Sequence, residues 1–460
     1  MDDRVLGWCK RLIGCRSVTG EGTREIAELC ARELLAPHAI AARLIPSERE
    51  GANQVNLVAT IAGADRDVAP LVFNTHLDTV PPGNPALWVK CGEDPFKACV
   101  EDDRIYGLGA ADTKLDFVAK VIALATSGKP RRDVWLVATF GEEHGLVGAK
   151  EIATAGVLPR GALAFIGEPS RLEVITAHKG LMVFALRIGF APTIASRASR
   201  GYQRLNFAGR AAHSSTPALG LNAIKLALDI LASRSDLHVR GITGGDAVNK
   251  VPAHCAAIIE TAAFPRSPQL QVEDLNEAPG SAIPPAAIIA AARFVAALQQ
   301  YADAAGSEEP DYASPTLTCN PGVIRTNADS LLLDFELRPP PGLALDTVRE
   351  GVAGVTRSAA SGNTEVTLEV EERRANPGFS SPLDSETVEL GRKALAAAGL
   401  ALKTNVKAGC TEAGVYATAG LKPIVFGPGP STGVIHAPNE YNLLTDVVGA
   451  VRFYQELLRL

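Results

Sequence analysis

Two periodicities divide the chain. Residues 3–15 and 23–35 place apolar side chains at helical spacing. After them, short apolar runs take turns with helical stretches: 56–61 and 71–74 read as strands, 117–126 as a helix, 134–140 as a buried strand, 146–154 as a helix and 162–166 as a strand. Continuous apolar runs of this length suit strands covered on both faces, and their alternation with helices predicts an α/β layer with a mostly parallel sheet.

The pattern changes near Thr176. Residues 180–188 and 204–209 read as strands, and 218–233 as a helix with Leu221, Ile224, Leu228 and Leu231 near one face. Residues 262–285 are rich in Pro, Ser, Glu and Gln and read as a loop or insertion, before a second apolar helix over 286–301. A strand at 331–337 stops at the breaker Pro339-Pro340-Pro341-Gly342, and 343–372 hold one helix and one strand. The α/β alternation resumes after Asn376, with a helix at 387–398, a strand at 423–426 and a helix at 444–458. The expected architecture is a discontinuous α/β domain, 1–176 with 377–460, carrying an inserted α+β domain, 177–376.

Hydrophobic residues make up 47% of the 460 positions, enough for two cores. A net charge of −6 and the absence of Lys/Arg runs leave no footprint for nucleic acid or an anionic membrane surface. No run of apolar residues is long enough to span a bilayer, and the acidic start MDDRVLGWCKRLIGC does not resemble a signal peptide. The eight cysteines form no CxxC pair, which predicts free thiols in a reducing compartment and a cytoplasmic protein.

Chemistry-bearing residues cluster after the predicted strands. His76 and Asp78 follow the 71–74 run, where a site in the crevice of an α/β sheet is expected. Asp112 stands in the glycine-rich GLGAADTK, where a lone Asp in a turn is more often a capping residue than a ligand. Glu142 and Glu143 adjoin at the end of a buried strand, where like charges repel unless a cation relieves them. Glu168 follows another strand, and His436 follows the turn Gly427-Pro428-Gly429-Pro430. Together they offer mixed His and carboxylate donors suited to zinc, manganese or cobalt. One Asp shared between two ions makes a two-metal site.

Taken in order, HLDTVPPG, GLGAADTK, GEEHGLVGA, GEPS, AAHSSTPALGLNAI and HAPNEY match the blocks of one family over nearly the whole chain. The chain resembles the M20 metallopeptidases, among them acetylornithine deacetylase, succinyl-diaminopimelate desuccinylase, carboxypeptidase G2 and related dipeptidases. The resemblance implies an α/β catalytic domain and an inserted lid through which the protein forms a homodimer. It implies His76 as a ligand of one metal with Asp78 orienting it, and Asp112 as the bridging carboxylate ahead of a cis peptide. Glu142 would be the general base, Glu143 and His436 ligands of the second metal, and Glu168 the remaining ligand of the first. His213 matches a lid histidine that stabilises the oxyanion, and Asn249 and Arg338 match positions that hold a substrate carboxylate. The implied cofactors are two divalent ions, zinc first, with manganese or cobalt as alternatives.

The implied reaction is hydrolysis of an amide bond in a small, carboxylate-bearing N-acyl amino acid or peptide. The alternatives are a dipeptidase acting on free dipeptides and a hydrolase of another C–N bond. A non-catalytic metal-binding homologue would lack the base or a ligand, and neither is missing. Departures from the family pattern are Leu108, Leu115 and Glu412. The CTEA string around Glu412 is similar to acetylornithine deacetylase, while extra lid sequence over 262–315 is similar to the dipeptidase branch. Arg197, Arg200 and Arg204 form a cationic cluster at the lid's start, read as a solvated face or a contribution to substrate charge recognition.

Overall fold

The computed structural model describes residues 3–191, 193–194, 201–234, 236–264, 267–277, 281–305 and 316–460. Arg197, Arg200 and positions 306–315 of the extra lid sequence lie outside the described residues. The chain forms two compact units, one from Met1–His178 with Phe379–Leu460 and one from Lys179–Gly378.

The first unit is built on a nine-stranded sheet. Its centre is four parallel strands in the order Val134–Thr139, Leu71–His76, Leu163–Gly167, Lys422–Phe426. Antiparallel strands extend it on both sides: Ala42–Pro46 and Val55–Ile61 on one, Val174–His178 and Phe379–Ser380 on the other. Leu71–His76 and Leu163–Gly167 are buried at every position, which is why their apolar runs were continuous in the sequence. Helices Asp3–Gly14, Lys114–Thr126, Glu386–Ala397 and Leu444–Arg459 contribute to the main core of this unit. Because the four central strands are parallel, their C-terminal ends share one edge. His76, the turn at Glu142-Glu143, Glu168 and the segment leading to His436 all leave the sheet there.

The second unit is an eight-stranded antiparallel sheet with helices Ala223–Ala232, Pro285–Ala304 and Leu345–Ala360 packed into its core. Phe184 and Phe335 stack at 5.3 Å on adjacent strands, and Phe294 meets Phe335 edge-on. The helix expected from 218 begins only at Ala223. Pro217–Leu219 is a separate 3-10 turn, and the Asn222 side chain accepts the N–H groups of Ile224 and Lys225 as a cap. The expected loop at 262–285 contains a strand, Leu270–Leu275, which among the described strands pairs with Tyr202–Ala208. It lies at the sheet edge with only Leu270 buried, so it carries charged residues and no alternating apolar pattern. Arg204 belongs to the neighbouring strand and lies 3.8 Å from Glu273 across the pair.

All eight cysteines are free. Among the described residues, no helix is long and apolar enough to cross a membrane.

Candidate metal centre

Strand Leu71–His76 ends in a histidine braced from below by a buried polar network. Lys120 Nζ donates to the Asn74 carbonyl (2.6 Å) and to Thr75 Oγ1 (2.9 Å) and pairs with Asp116 (2.6 Å). Thr75 and Tyr454 hydroxyls both donate to Asp116 at 2.6 Å. Four buried polar side chains thus satisfy one another beneath His76.

Above that network, His76 and His436 approach opposite oxygens of Asp112. His76 Nε2 lies 3.1 Å from Asp112 Oδ1, and His436 Nε2 lies 3.2 Å from Asp112 Oδ2. His436 Nε2 is also 3.1 Å from Glu143 Oε1, and His76 Nε2 is 3.9 Å from Glu168 Oε1. Two donor groups result, His76–Asp112–Glu168 and Asp112–Glu143–His436, each with its ligand atoms within 4.8 Å of one another. The peptide between Asp112 and Thr113 is cis, where the family resemblance placed one.

The electrostatics of this cluster suit cations. Burial and the Glu168 carboxylate push Glu142 well above the ordinary range. Glu143 is raised by burial, against the opposing pull of His436. Contacts with Asp112 and Glu143 lift His436 to about 11. Burial draws His76 down, but Asp112 and Asp78 outweigh it and hold it well above its usual value. Buried acids that repel each other and histidines that bind protons in their place form a donor set that divalent ions would neutralise. Two imidazoles and three carboxylates, one of them the shared Asp112, fit a pair of such ions.

Asp78 is arranged differently from the simple orienting pair expected. His76 Nδ1 is 3.0 Å from the Asp78 carbonyl oxygen and 3.6 Å from its carboxylate. The Asp78 carboxylate instead accepts the N–H groups of Glu142 (3.2 Å) and Glu143 (3.3 Å), tying the Glu-Glu turn to the His76 strand.

Three further residues complete the surroundings. Lys407 Nζ donates to Glu168 Oε2 at 2.8 Å, so the carboxylate turns one oxygen to His76 and the other to an ammonium. Glu412 is buried, accepts from Asn74 and from Thr139 (2.9 Å), and is pushed by burial up to about 7. Glu440 is buried and accepts the N–H groups of Ala111 (2.8 Å) and Asp112 (3.0 Å). Only Glu412 was noticed in the sequence, and as a departure. Nothing local marks Lys407. Gly427 lets the following turn pass close to Glu168, because a Cβ there would stand 2.5 Å from the Glu168 carbonyl.

His213, Asn249 and Arg338 belong to the second unit. His213 Nδ1 accepts the N–H of Ser215 (3.1 Å) and lies 2.6 Å from its hydroxyl, so the neutral ring carries its proton on Nε2. Burial and the Arg338 charge lower its pKa and favour that neutral form. Asn249 is exposed, and its carbonyl accepts the N–H of Ser214. Arg338 is buried with Nε 2.6 Å from Glu336 Oε1, and Glu336 also accepts the Ser214 hydroxyl at 2.5 Å.

Comparison with known proteins returns one family. The profile of Peptidase family M20/M25/M40 matches residues 72–460. The acetylornithine deacetylase of Photorhabdus laumondii subsp. laumondii is 32% identical over 258 residues, which cover 51% of this chain and 59% of that protein. The match therefore spans less than two thirds of that relative's length. Among solved structures, the aminoacylhistidine dipeptidase of Vibrio alginolyticus shares the fold with a TM-score of 0.70 at 16% identity, over 99% of this chain and 96% of that one. The YXEP protein of Bacillus subtilis, a dinuclear metal binding peptidase, does so with a TM-score of 0.55 at 13% identity, over 99% and 96%.

Proposed function

This chain belongs to peptidase family M20/M25/M40, and from that premise we propose that it is a two-metal hydrolase of the amide bond of an N-acyl amino acid. The observation that carries the proposal is the Asp112 carboxylate, whose two oxygens face two different histidines. His76, Asp112 and Glu168 would hold one ion, and Asp112, Glu143 and His436 the other, zinc being the ion this donor set suits first. When bound, such ions polarise the substrate carbonyl and acidify water.

The remaining work falls to side chains. Glu142 is assigned to no ion, and its raised proton affinity suits a base that works near neutral pH. It takes a proton from the attacking water at its carboxylate and returns it to the nitrogen of the leaving amine. Asp78 sets the position of Glu142 through the backbone N–H. His213, neutral with its proton on Nε2, is assigned as a hydrogen-bond donor to the developing oxyanion. Asn249 and Arg338 are assigned to the substrate carboxylate. Because Arg338 shares its charge with Glu336, a change there also disturbs Ser214, next to His213.

The deacylase reading draws on the acetylornithine deacetylase relative and the CTEA string. Its test is elemental analysis of the purified protein together with hydrolysis of N-acetyl amino acids and free dipeptides. About two ions per chain and turnover of the N-acyl substrates are expected. Turnover of dipeptides alone would move the assignment to a dipeptidase, and no ions with no turnover would refute both. E142Q should cut kcat by about 10²–10⁴-fold with metal content unchanged, and retained turnover would remove Glu142 from the base role.

A further inference from the structure

We propose that Glu440 is a positioning residue for the metal centre, its carboxyl group fixing the backbone of Asp112, which both ion groups share. The inference rests on the two-metal reading above.

Glu440 is 1% exposed and, among the described residues, makes no direct ion pair, the opposing charge it acts on being the buried Lys114 ammonium. Burying a carboxyl without a directly paired counter-charge is costly, and an apolar side chain of similar volume would fill the same space. What such a side chain could not do is accept hydrogen bonds. Glu440 Oε1 accepts two, from Ala111 N (2.8 Å) and Asp112 N (3.0 Å). These consecutive N–H groups lie in the turn before helix Lys114–Thr126, ahead of the first helical bonds, and buried N–H groups without partners are expensive.

The surrounding contacts carry the same connection further. The Glu440 carbonyl accepts the N–H of Gly107 (3.0 Å), and Asn442 Nδ2 donates to the Ala110 carbonyl (2.8 Å). Strand Tyr441–Leu443 pairs with Arg104–Tyr106, directly before Gly107. Asn439 bonds to the backbone of Leu87 and Lys90 through both ends of its amide, at 2.9 and 2.8 Å. The segment that presents His436 is therefore fastened, within six residues, to the segment that presents Asp112. Among the described residues, His436 meets the Asp112 side chain, and Glu440 provides the fastening made to the Asp112 backbone. It acts by accepting hydrogen bonds, so an amide in its place does the same work.

The test uses chelator-stripped full-length protein titrated with Mn²⁺ by calorimetry, as wild type, E440A and E440Q. E440A is expected to weaken binding of at least one ion by about 10–100-fold, the range for removing an outer partner of a ligand. E440Q is expected to stay close to wild type. Hydrogen exchange on the metal-free wild type adds an arm that needs no variant: the amides of residues 111 and 112 should be protected before any ion is present. Wild-type affinities in E440A, affinities in E440Q as weak as in E440A, or unprotected amides in the metal-free wild type would each overturn the proposal. If E440A does not fold, the wild-type and E440Q arms still decide it. If the wild type binds no Mn²⁺ or Zn²⁺, the two-metal reading fails, while the exchange arm still reports on Glu440.

Discussion

The two ion groups use the same kinds of donor and meet at Asp112, but they rest on different scaffolds. His76 ends a fully buried strand, is 1% exposed, and stands on the Lys120–Asp116–Thr75–Tyr454 network. His436 is 48% exposed and sits in a loop with left-handed backbone at His436 (φ 57°) and at Asn439 (φ 62°). Strand geometry places the first histidine. The second depends on hydrogen bonds made by its neighbours to distant segments. An ion in the first group would be held by the sheet itself, and an ion in the second by a loop that must be tied down.

Replacing the shared residue erases this difference and has the largest expected effect. D112N should release both ions and lower activity on the order of 10³-fold or more, beyond the loss of a single charge-stabilising donor, with metal content and kcat as readouts. Next come the two histidines. H76A opens a buried, hydrogen-bonded position and should cost about 2 kcal/mol of stability, whereas H436A, at a half-exposed loop site, should cost under about 1 kcal/mol. H436A should retain one ion and H76A fewer, by titration and thermal melting. Equal losses in the two variants would break the distinction between sheet-held and loop-held groups.

Glu412 is assigned to no ion, so its replacement has the smallest expected effect on metal content and activity, and it is read through stability instead. Its folded pKa of about 7 lies above the ordinary carboxyl value of 4.5 that the unfolded chain shows. The folded state therefore keeps a proton that the unfolded state has lost. This contribution to stability is full below pH 4.5 and disappears as pH rises through about 7. E412Q cannot ionise, so its stability relative to wild type should rise across that window, by up to about 3 kcal/mol. Parallel stability–pH curves for the two proteins would refute the assignment.

What the sequence revealed follows the same division. The four central strands were legible because burial on both faces makes their runs continuously apolar, and the candidate metal-binding residues that leave those strands were legible with them. Strand Leu270–Leu275 was missed because an exposed edge needs no such pattern. Lys407 and Glu440 were missed for another reason. Their partners lie 239 and 329 residues away in sequence, so no local spacing marks them. Glu440 stood inside a recognised block, but only the fold shows that its carboxyl group reaches Asp112.

The discontinuity of the first unit also bears on synthesis. Leu163–Gly167 pairs with Leu71–His76 on one edge and with Lys422–Phe426 on the other, and the whole of Lys179–Gly378 is made before that second partner. At about 5–20 residues per second, the nascent chain carries an apolar strand with an unpaired edge for roughly tens of seconds. During that interval His76, Asp112, Glu143 and Glu168 already exist, but His436 and Lys407 do not. On the proposed two-metal reading, the growing chain would be most exposed to aggregation and to premature, incomplete metal capture at the same stage, and both hazards would end when the last parallel strand and the His436 loop dock.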